Sequence, residues 1–225
     1  MKFLSIDSSS LSASVALVCD GKILGEFFIN NKLTHSQTLM KMVENLLCIT
    51  DNKISDITAF VITNGPGSFT GVRIGISAVK GLSFGSDKLC IPISSLEAIA
   101  YNFLGENATI VASLDARQGQ VYNAIFKAEN GRIERITEDR AISAESLLSE
   151  LAGYENIILC GDGAYIIKEL CPDLKLAAES KMYQRASSAA FAAEKALETG
   201  ISADALVPKY LRLPQAERIR RKVDL

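Results

Sequence analysis

The sequence of 225 residues carries 24 Lys+Arg, 26 Asp+Glu and a single histidine, His35. That count excludes a zinc site with two or three histidines, and it leaves only His35 for a Ser-His-Asp triad or a Cys-His pair. Hydrophobic content of 48% and charged content of 22% describe a globule with a real core, a net charge of −2 gives no global pull on nucleic acid, and no apolar run approaches a membrane span.

The N-terminus is too short in its apolar part for a secretory signal and reads as a strand, residues 3–6, ending at Asp7. Leu11, Ala13, Val15, Leu17 and Cys19 are apolar at period two, the pattern of a half-buried strand. Asp20-Gly21 signals a tight hairpin, and residues 22–29 run back as a third strand. Thr34 and Gln37 predict a capping box, and Leu39, Met42, Val43, Leu46 and Leu47 follow at helical spacing. Residues 57–62 are a short, continuously apolar strand of the parallel type. A glycine-rich loop, 64–70, leads into a helix over about 71–84. A strand at 89–93 and a helix at 95–104 complete the first half.

The second half repeats this order. Residues 108–114 form a strand ending at Asp115, 120–127 a second, Asn130-Gly131 a turn, and 132–136 a third. A helix begins near Ser143 with an ordinary cap. Strand 156–160 leads through Gly161-Asp162-Gly163 into a helix at 164–170. Residues 174–177 are a candidate strand and 187–199 a helix. The halves align on Ile6-Asp7 with Leu114-Asp115, and on Asp20-Gly21-Lys22-Ile23 with Asn130-Gly131-Arg132-Ile133. An internal duplication follows. The expected fold is α/β, two tandem ribonuclease-H-like lobes in the actin-like ATPase arrangement. The expected lobes are 1–104 and 105–210, with the tail, about 211–225, packing back on the first. The five cysteines are odd in number and lack C-x-x-C spacing, so they read as small buried hydrophobes in a reducing cytoplasm.

Four features are candidate sites. Asp7, Ser8, Ser9 and Ser10 form a turn that either cradles a phosphate or satisfies itself. Its counterpart at Asp115 has Arg117 where a glycine would let backbone approach a phosphate. The loop Asn64-Gly65-Pro66-Gly67-Ser68-Phe69-Thr70-Gly71 lies before a helix start that can hold anions, yet no lysine follows Gly71, so it is not the Walker pattern. It reads equally as a rigid loop shaping that start. The third feature is the pair of helices at 34–48 and 71–84. The second is apolar nearly all round, leaving Arg73 and Lys80 on one narrow side, so it needs cover beyond its own sheet. Either the other lobe or another chain supplies it. The last is a basic tail, Arg212 and Arg218 to Lys222, read as a solvated face or a contact to RNA phosphate.

Six segments carry a resemblance that spans nearly the whole chain: Ile6-Asp7-Ser8-Ser9, Thr34-His35-Ser36-Gln37, the glycine-rich loop through Arg73, Ser95-Leu96-Glu97-Ala98, the stretch from Asp115 to Tyr122, and Pro208-Lys209-Tyr210-Leu211-Arg212. The chain resembles the TsaB (YeaZ) family, accessory subunits for threonylcarbamoylation of adenosine 37 in tRNAs reading ANN codons. The resemblance implies no independent peptidase or ATPase activity. It implies docking onto the paralogue TsaD, which carries the metal and the transfer site, with TsaE joining and hydrolysing ATP. A homodimer in isolation, tRNA contact only through the complex, no resident metal and no tightly bound cofactor are further implications. ATP or ADP at the TsaB–TsaD junction stays open, with Gly161 and Gly163 flanking a remnant of an adenosine loop. Where TsaD-like proteins carry two metal-binding histidines, this chain has Ser95 and Ile99. The implied docking residues are His35, Leu39, Met42, Val43, Leu46, Leu47, Val72, Arg73, Gly75, Ile76 and Val79. A charge at Ile76 is expected to abolish pairing in a folded protein. The rival reading is a small magnesium-dependent ATPase or kinase using Asp7 and Asp115.

Overall fold

The computed structural model describes residues 1–31 and 33–212. The first half contains β1 (Lys2–Asp7), β2 (Ala13–Cys19), β3 (Lys22–Ile29), α1 (His35–Ile49), β4 (Ala59–Thr63), α2 (Phe69–Ser83), β5 (Leu89–Ile93) and α3 (Ser95–Ala100). The second contains β6 (Ala108–Arg117), β7 (Gln120–Glu129), β8 (Arg132–Arg135), β9 (Arg140–Ser143), α4 (Ala144–Leu151), β10 (Ile157–Cys160), α5 (Ala164–Leu170), β11 (Lys175–Leu176), α6 (Glu179–Met182) and α7 (Ala186–Lys195). The first sheet runs β3-β2-β1-β4-β5. The second runs β8-β7-β6-β10-β11, with β9 also on β7. Each has an antiparallel meander followed by parallel strands, so the duplication is topological as well as sequential. Both hairpin turns use two residues at positive φ, Asp20 and Gly21 at 48° and 73°, Asn130 and Gly131 at 52° and 70°. That pairing matches the right-handed twist of the flanking strands. The short elements β9 and α6 carry too few residues to show a period.

One layer of the first sheet does not come from the first half. Leu4, Ile6, Val15, Leu17 and Ile62 pack under α1 and α2. On the other face Phe3, Ala16, Val18, Val61 and Ile91 pack against Ala186, Ala189, Ala190 and Ala193 of α7. In exchange, α3 sends Leu96, Ile99 and Ala100, with Phe103 beyond it, into the core of the second sheet. The first lobe caps α7 in return. Ser14 Oγ accepts from Ala186 N at 2.8 Å, and Glu26 Oε1 accepts from Ser187 N at 3.1 Å. These satisfy two orphan donors of the helix start and place a carboxylate at its positive end. After α7 a short turn, Leu197–Thr199, leads to Ile201, which bridges to Cys90 of β5. A cut at 104/105 therefore separates the sheets but not the helices that cover them.

This exchange corrects the reading of β2. Its period-two pattern predicts one wet face, yet Ser14, Ala16 and Val18 are as buried as Val15 and Leu17. The cover comes from a helix more than 160 residues along the chain, beyond the reach of any local window. Two smaller readings also change. Thr34 stands at the N-cap of α1, but its side chain accepts no capping bond. Cys90 and Cys160 are buried, while Cys19 and Cys171 are half-buried and Cys48 is exposed. Among the described residues no helix is long and apolar enough to cross a membrane.

The five alanines of α7 permit its close approach to the sheet. Ala190→Leu should therefore lower stability by about 1–3 kcal/mol through overpacking. Urea unfolding checks this, and an unchanged midpoint would mean that α7 does not press on the sheet.

A sealed turn and an apolar groove between two helices

The turn after β1 is closed by its own chain. Asp7, Ser8, Ser9 and Ser10 are all buried. Asp7 Oδ1 accepts from Ser9 N at 3.3 Å, from Ser9 Oγ at 2.7 Å and from Thr63 Oγ1. Ser8 Oγ donates to the Gly71 carbonyl at 2.9 Å, and Ser68 N donates to the Ser9 carbonyl at 2.7 Å. Gln184, just before α7, fills the remaining side. Its Nε2 donates to Ser9 Oγ at 3.1 Å, and its Oε1 accepts from Ser10 Oγ at 3.3 Å. The glycine-rich loop packs directly on the turn. A Cβ on Gly67 would lie 2.1 Å from the Ser9 carbonyl oxygen. The glycines thus admit the protein's own backbone, in the place where a phosphate would need to sit.

Asp7 Oδ2 is buried and has no hydrogen-bond partner among the described residues. Burial pushes the Asp7 carboxyl up from the usual carboxylate range, against the Thr63 and Ser9 hydrogen bonds. Asp7 is fully buried, so it offers no exposed face to a magnesium-bound water. The second turn is equally self-contained. Asp115 Oδ1 accepts from Arg117 N at 2.7 Å, and Asp115 N donates to Asp162 Oδ1 at 2.9 Å. At Gly161 (φ 85°) a Cβ would lie 2.0 Å from the Ser113 carbonyl oxygen, and Gly163 abuts Leu114. These glycines let the loop touch β6. The residues present do not fit a nucleotide and its magnesium at either turn.

No metal centre assembles either. Ser95 and Ile99 are fully buried, and Ile99 belongs to the second core. Among the described residues no group of three or more His, Cys, Asp or Glu is placed to hold a metal ion.

The open feature is a groove between α1 and α2, about 570 Å³ in volume. His35, Ser36, Leu39 and Met40 line it from α1; Phe69, Thr70, Arg73, Ile74, Ser77 and Ala78 line it from α2. Both helices start at the sealed turn. His35 Nε2 donates to the Ser10 carbonyl at 2.8 Å, and Ser68 Oγ caps α2 by accepting from Gly71 N at 3.2 Å. That assigns His35 the Nε2–H tautomer.

The helices are found where the sequence puts them. Leu39, Met42, Val43, Leu46, Leu47, Val72, Ile76 and Val79 are buried within the chain itself, all of them in the core of the first sheet. Gly75 lies against Ser8 and Ile62. Of the eleven expected docking residues, His35, Leu39 and Arg73 reach the groove. The residues missed are those between them: Met40 (45% exposed), Ile74, Ser77 and Ala78. A helix apolar on nearly every side gives no signal of which apolar side the sheet will take. Ile76 is 5% exposed, so a charge there would damage the core before it tested docking.

The rim of the groove is held from the C-terminal side. Tyr210 stacks on Phe69 with ring centroids 4.9 Å apart, and the Arg73 guanidinium lies 3.8 Å over the Phe69 ring. Arg73 Nε donates to the Tyr210 hydroxyl at 2.7 Å. Residues 218–222 of the basic tail lie outside the described residues.

The family described as "TsaD: tRNA N6-adenosine threonylcarbamoyltransferase" matches residues 22–219. The tRNA threonylcarbamoyladenosine biosynthesis protein TsaB of Bacillus subtilis (strain 168) is 30% identical over 223 residues, 96% of each chain. The chain belongs to the TsaB (YeaZ) family. The TsaB of Escherichia coli (strain K12) is 34% identical over 152 residues, 67% of this chain and 65% of that one. The solved YeaZ structure from Pseudomonas aeruginosa superposes with a TM-score of 0.79 at 26% identity, covering 93% of this chain and 99% of that one. The two-lobed actin-like ATPase architecture expected from the duplication is therefore the fold.

The sealed turn makes a prediction about pH. A carboxyl whose folded pKa lies above its unfolded value contributes stability fully present below the unfolded pKa, here 3.8, and lost as pH rises through the folded pKa. Asp7→Asn removes that loss. Its advantage over the parent should be largest at neutral pH and shrink toward pH 4. Denaturant titrations at several pH values check this; an Asn variant less stable at pH 7 than at pH 4, relative to the parent, would contradict it.

Proposed function

We propose that this protein is a non-catalytic scaffold subunit in tRNA threonylcarbamoyladenosine biosynthesis, docking onto a TsaD-type paralogue through the groove between α1 and α2. Its TsaB relatives are named for that biosynthesis. The observation that carries the docking step is the open apolar groove on a protein whose former phosphate turn is filled from within. The groove is flanked by two 15-residue helices, each about 22 Å long at 1.5 Å per residue. A pair of such helices from a second subunit would complete a four-helix contact. That contact would bury on the order of 800 Å² per partner, the size of a stable interface.

In this reading TsaD supplies the metal and the transfer chemistry, and TsaE joins the pair and hydrolyses ATP. In isolation the same groove pairs two copies of the chain. The chain holds no tight cofactor of its own. Any ATP or ADP sits at the junction with TsaD, and tRNA is met only through the assembly, in the cytoplasm. An ATPase built on Asp7 and Asp115 is disfavoured, because both carboxyls are engaged by their own turns.

Met40 is exposed and Ile74 is half-buried at the groove. The double variant Met40→Glu, Ile74→Glu should stay folded, bind TsaD at least tenfold more weakly, and restore less modified tRNA to cells lacking the parent gene. Calorimetric titration and nucleoside analysis read the two effects. Parental affinity in that variant would sink the docking proposal.

A further inference from the structure

The segment Pro208-Lys209-Tyr210-Leu211-Arg212 has no role in the scaffold reading so far. It lies along the seam between the lobes. On the first lobe, Lys209 N donates to the Asn64 carbonyl at 2.8 Å, and Asn64 Nδ2 donates to the Val207 carbonyl at 3.3 Å. On the second, Lys209 Nζ donates to Asp139 Oδ2 at 3.0 Å, and Arg212 Nη1 donates to the Ala116 carbonyl at 2.8 Å. Asp139 is itself buried and is shared with Ser94 Oγ at 3.0 Å and Arg135 Nη1 at 2.7 Å. The segment is thus a strap fixed to both lobes, and Tyr210 is its one contact with the docking groove.

What Tyr210 holds is a cation. Arg73 is sandwiched by its Nε bond to the Tyr210 hydroxyl and its stack on Phe69. Its two terminal nitrogens have no hydrogen-bond or ion-pair partner among the described residues, and Arg73 lines the groove. The other lining residues are neutral or apolar, apart from His35, whose Nε2 is spent on the Ser10 carbonyl. A guanidinium fixed at one end, with its outer fork unpaired among the described residues, is preorganised for a carboxylate.

We propose that Arg73 selects the docking subunit by pairing with a carboxylate on its helix, and that Tyr210 is the positioning residue that aims it. The proposal rests on the docking reading above and adds the chemistry of the partner: an amphipathic helix with an acidic residue facing the mouth of the groove. Because the strap is tied to Asp139 and Ala116, the aim of Arg73 follows the placement of the second lobe as well.

The test titrates TsaD into full-length parent, Arg73→Gln, Tyr210→Ala and Tyr210→Phe, each at low and high salt. Arg73→Gln should weaken binding about fivefold to tenfold, the scale of one ordered charged side chain, and flatten the salt dependence. Tyr210→Ala should reproduce both effects although Arg73 is intact. Tyr210→Phe keeps the stack on Phe69 and should recover most of the affinity. A merely structural role for Tyr210 would change affinity without changing the salt slope, and that result overturns the positioning claim. Parental affinity and slope in Arg73→Gln overturn the whole inference. If the double glutamate variant of the groove also binds normally, the docking reading has failed; if it does not bind, only the role of Arg73 has.

Discussion

The structure depends on the closing of one turn. Three consecutive serine residues after β1 each give a backbone or side-chain group to the elements around them. Ser8 Oγ holds the Gly71 carbonyl, the Ser9 carbonyl holds Ser68 N, and the Ser10 carbonyl holds His35 Nε2. Two of these fix the start of α2 and the third fixes the start of α1. Both helices therefore rise from a common base, with their first turns in fixed relation. A turn of this kind, if open, would offer its amide and hydroxyl donors to a phosphate. Here Ser8 Oγ, Ser9 N and Ser9 Oγ donate within the protein, and the carbonyls of Ser9 and Ser10 hold the two helix starts. Rigid presentation lowers the ordering cost of association, which otherwise consumes much of the energy of a small interface.

The lone histidine takes its meaning from that base. It donates to the turn, while its Nδ1 is buried without a partner among the described residues. Among the described residues no carboxylate hydrogen-bonds to its ring. Its ring lies beside Gly71, where a Cβ would come within 3.3 Å of His35 Cδ2. So His35 acts as a spacer and a tether between the two helix starts. The residues at 95 and 99, where metal-binding histidines would be needed, are instead packed in the interior. Under the scaffold reading proposed above, the reactive site belongs to the paralogue and this chain contributes a surface.

How much of this was legible in the sequence follows from the range of each interaction. The duplicated meander, the hairpin turns and the helices were readable because they rest on local rules of period and turn chemistry. The exchange of α3 and α7 was not. Ala186 to Ala193 form an apolar helix like many others, and nothing within them names the sheet they cover. Gln184 escaped notice for the same reason, since its partners Ser9 and Ser10 lie some 175 residues away. The inward turn of most of the apolar residues of α1 and α2 was not legible either. The apolar belt around α2 was read correctly, but it serves the sheet and the groove together. Val72, Ile76 and Val79 are buried in the core, while Ile74 and Ala78 pack against its edge and line the groove.

That division has a physical logic. An exposed groove keeps its contiguous apolar area modest when most of the apolar belt is buried in the core. Met40, Ile74, Ala78 and the ring of Phe69 give the groove a modest apolar floor, while Arg73 supplies a cation whose stacking on Phe69 is worth about 0.5–1 kcal/mol at an exposed site. Such a floor recognises poorly by itself, because apolar contact is tolerant of sequence. A fixed charge at the rim adds the discrimination that the floor lacks, since a partner without a matching carboxylate must leave a desolvated guanidinium unpaired. The strap that fixes this charge is anchored to the second lobe, which otherwise stands away from the groove. In the docking reading proposed above, the second lobe sets the geometry in which the first lobe presents Arg73.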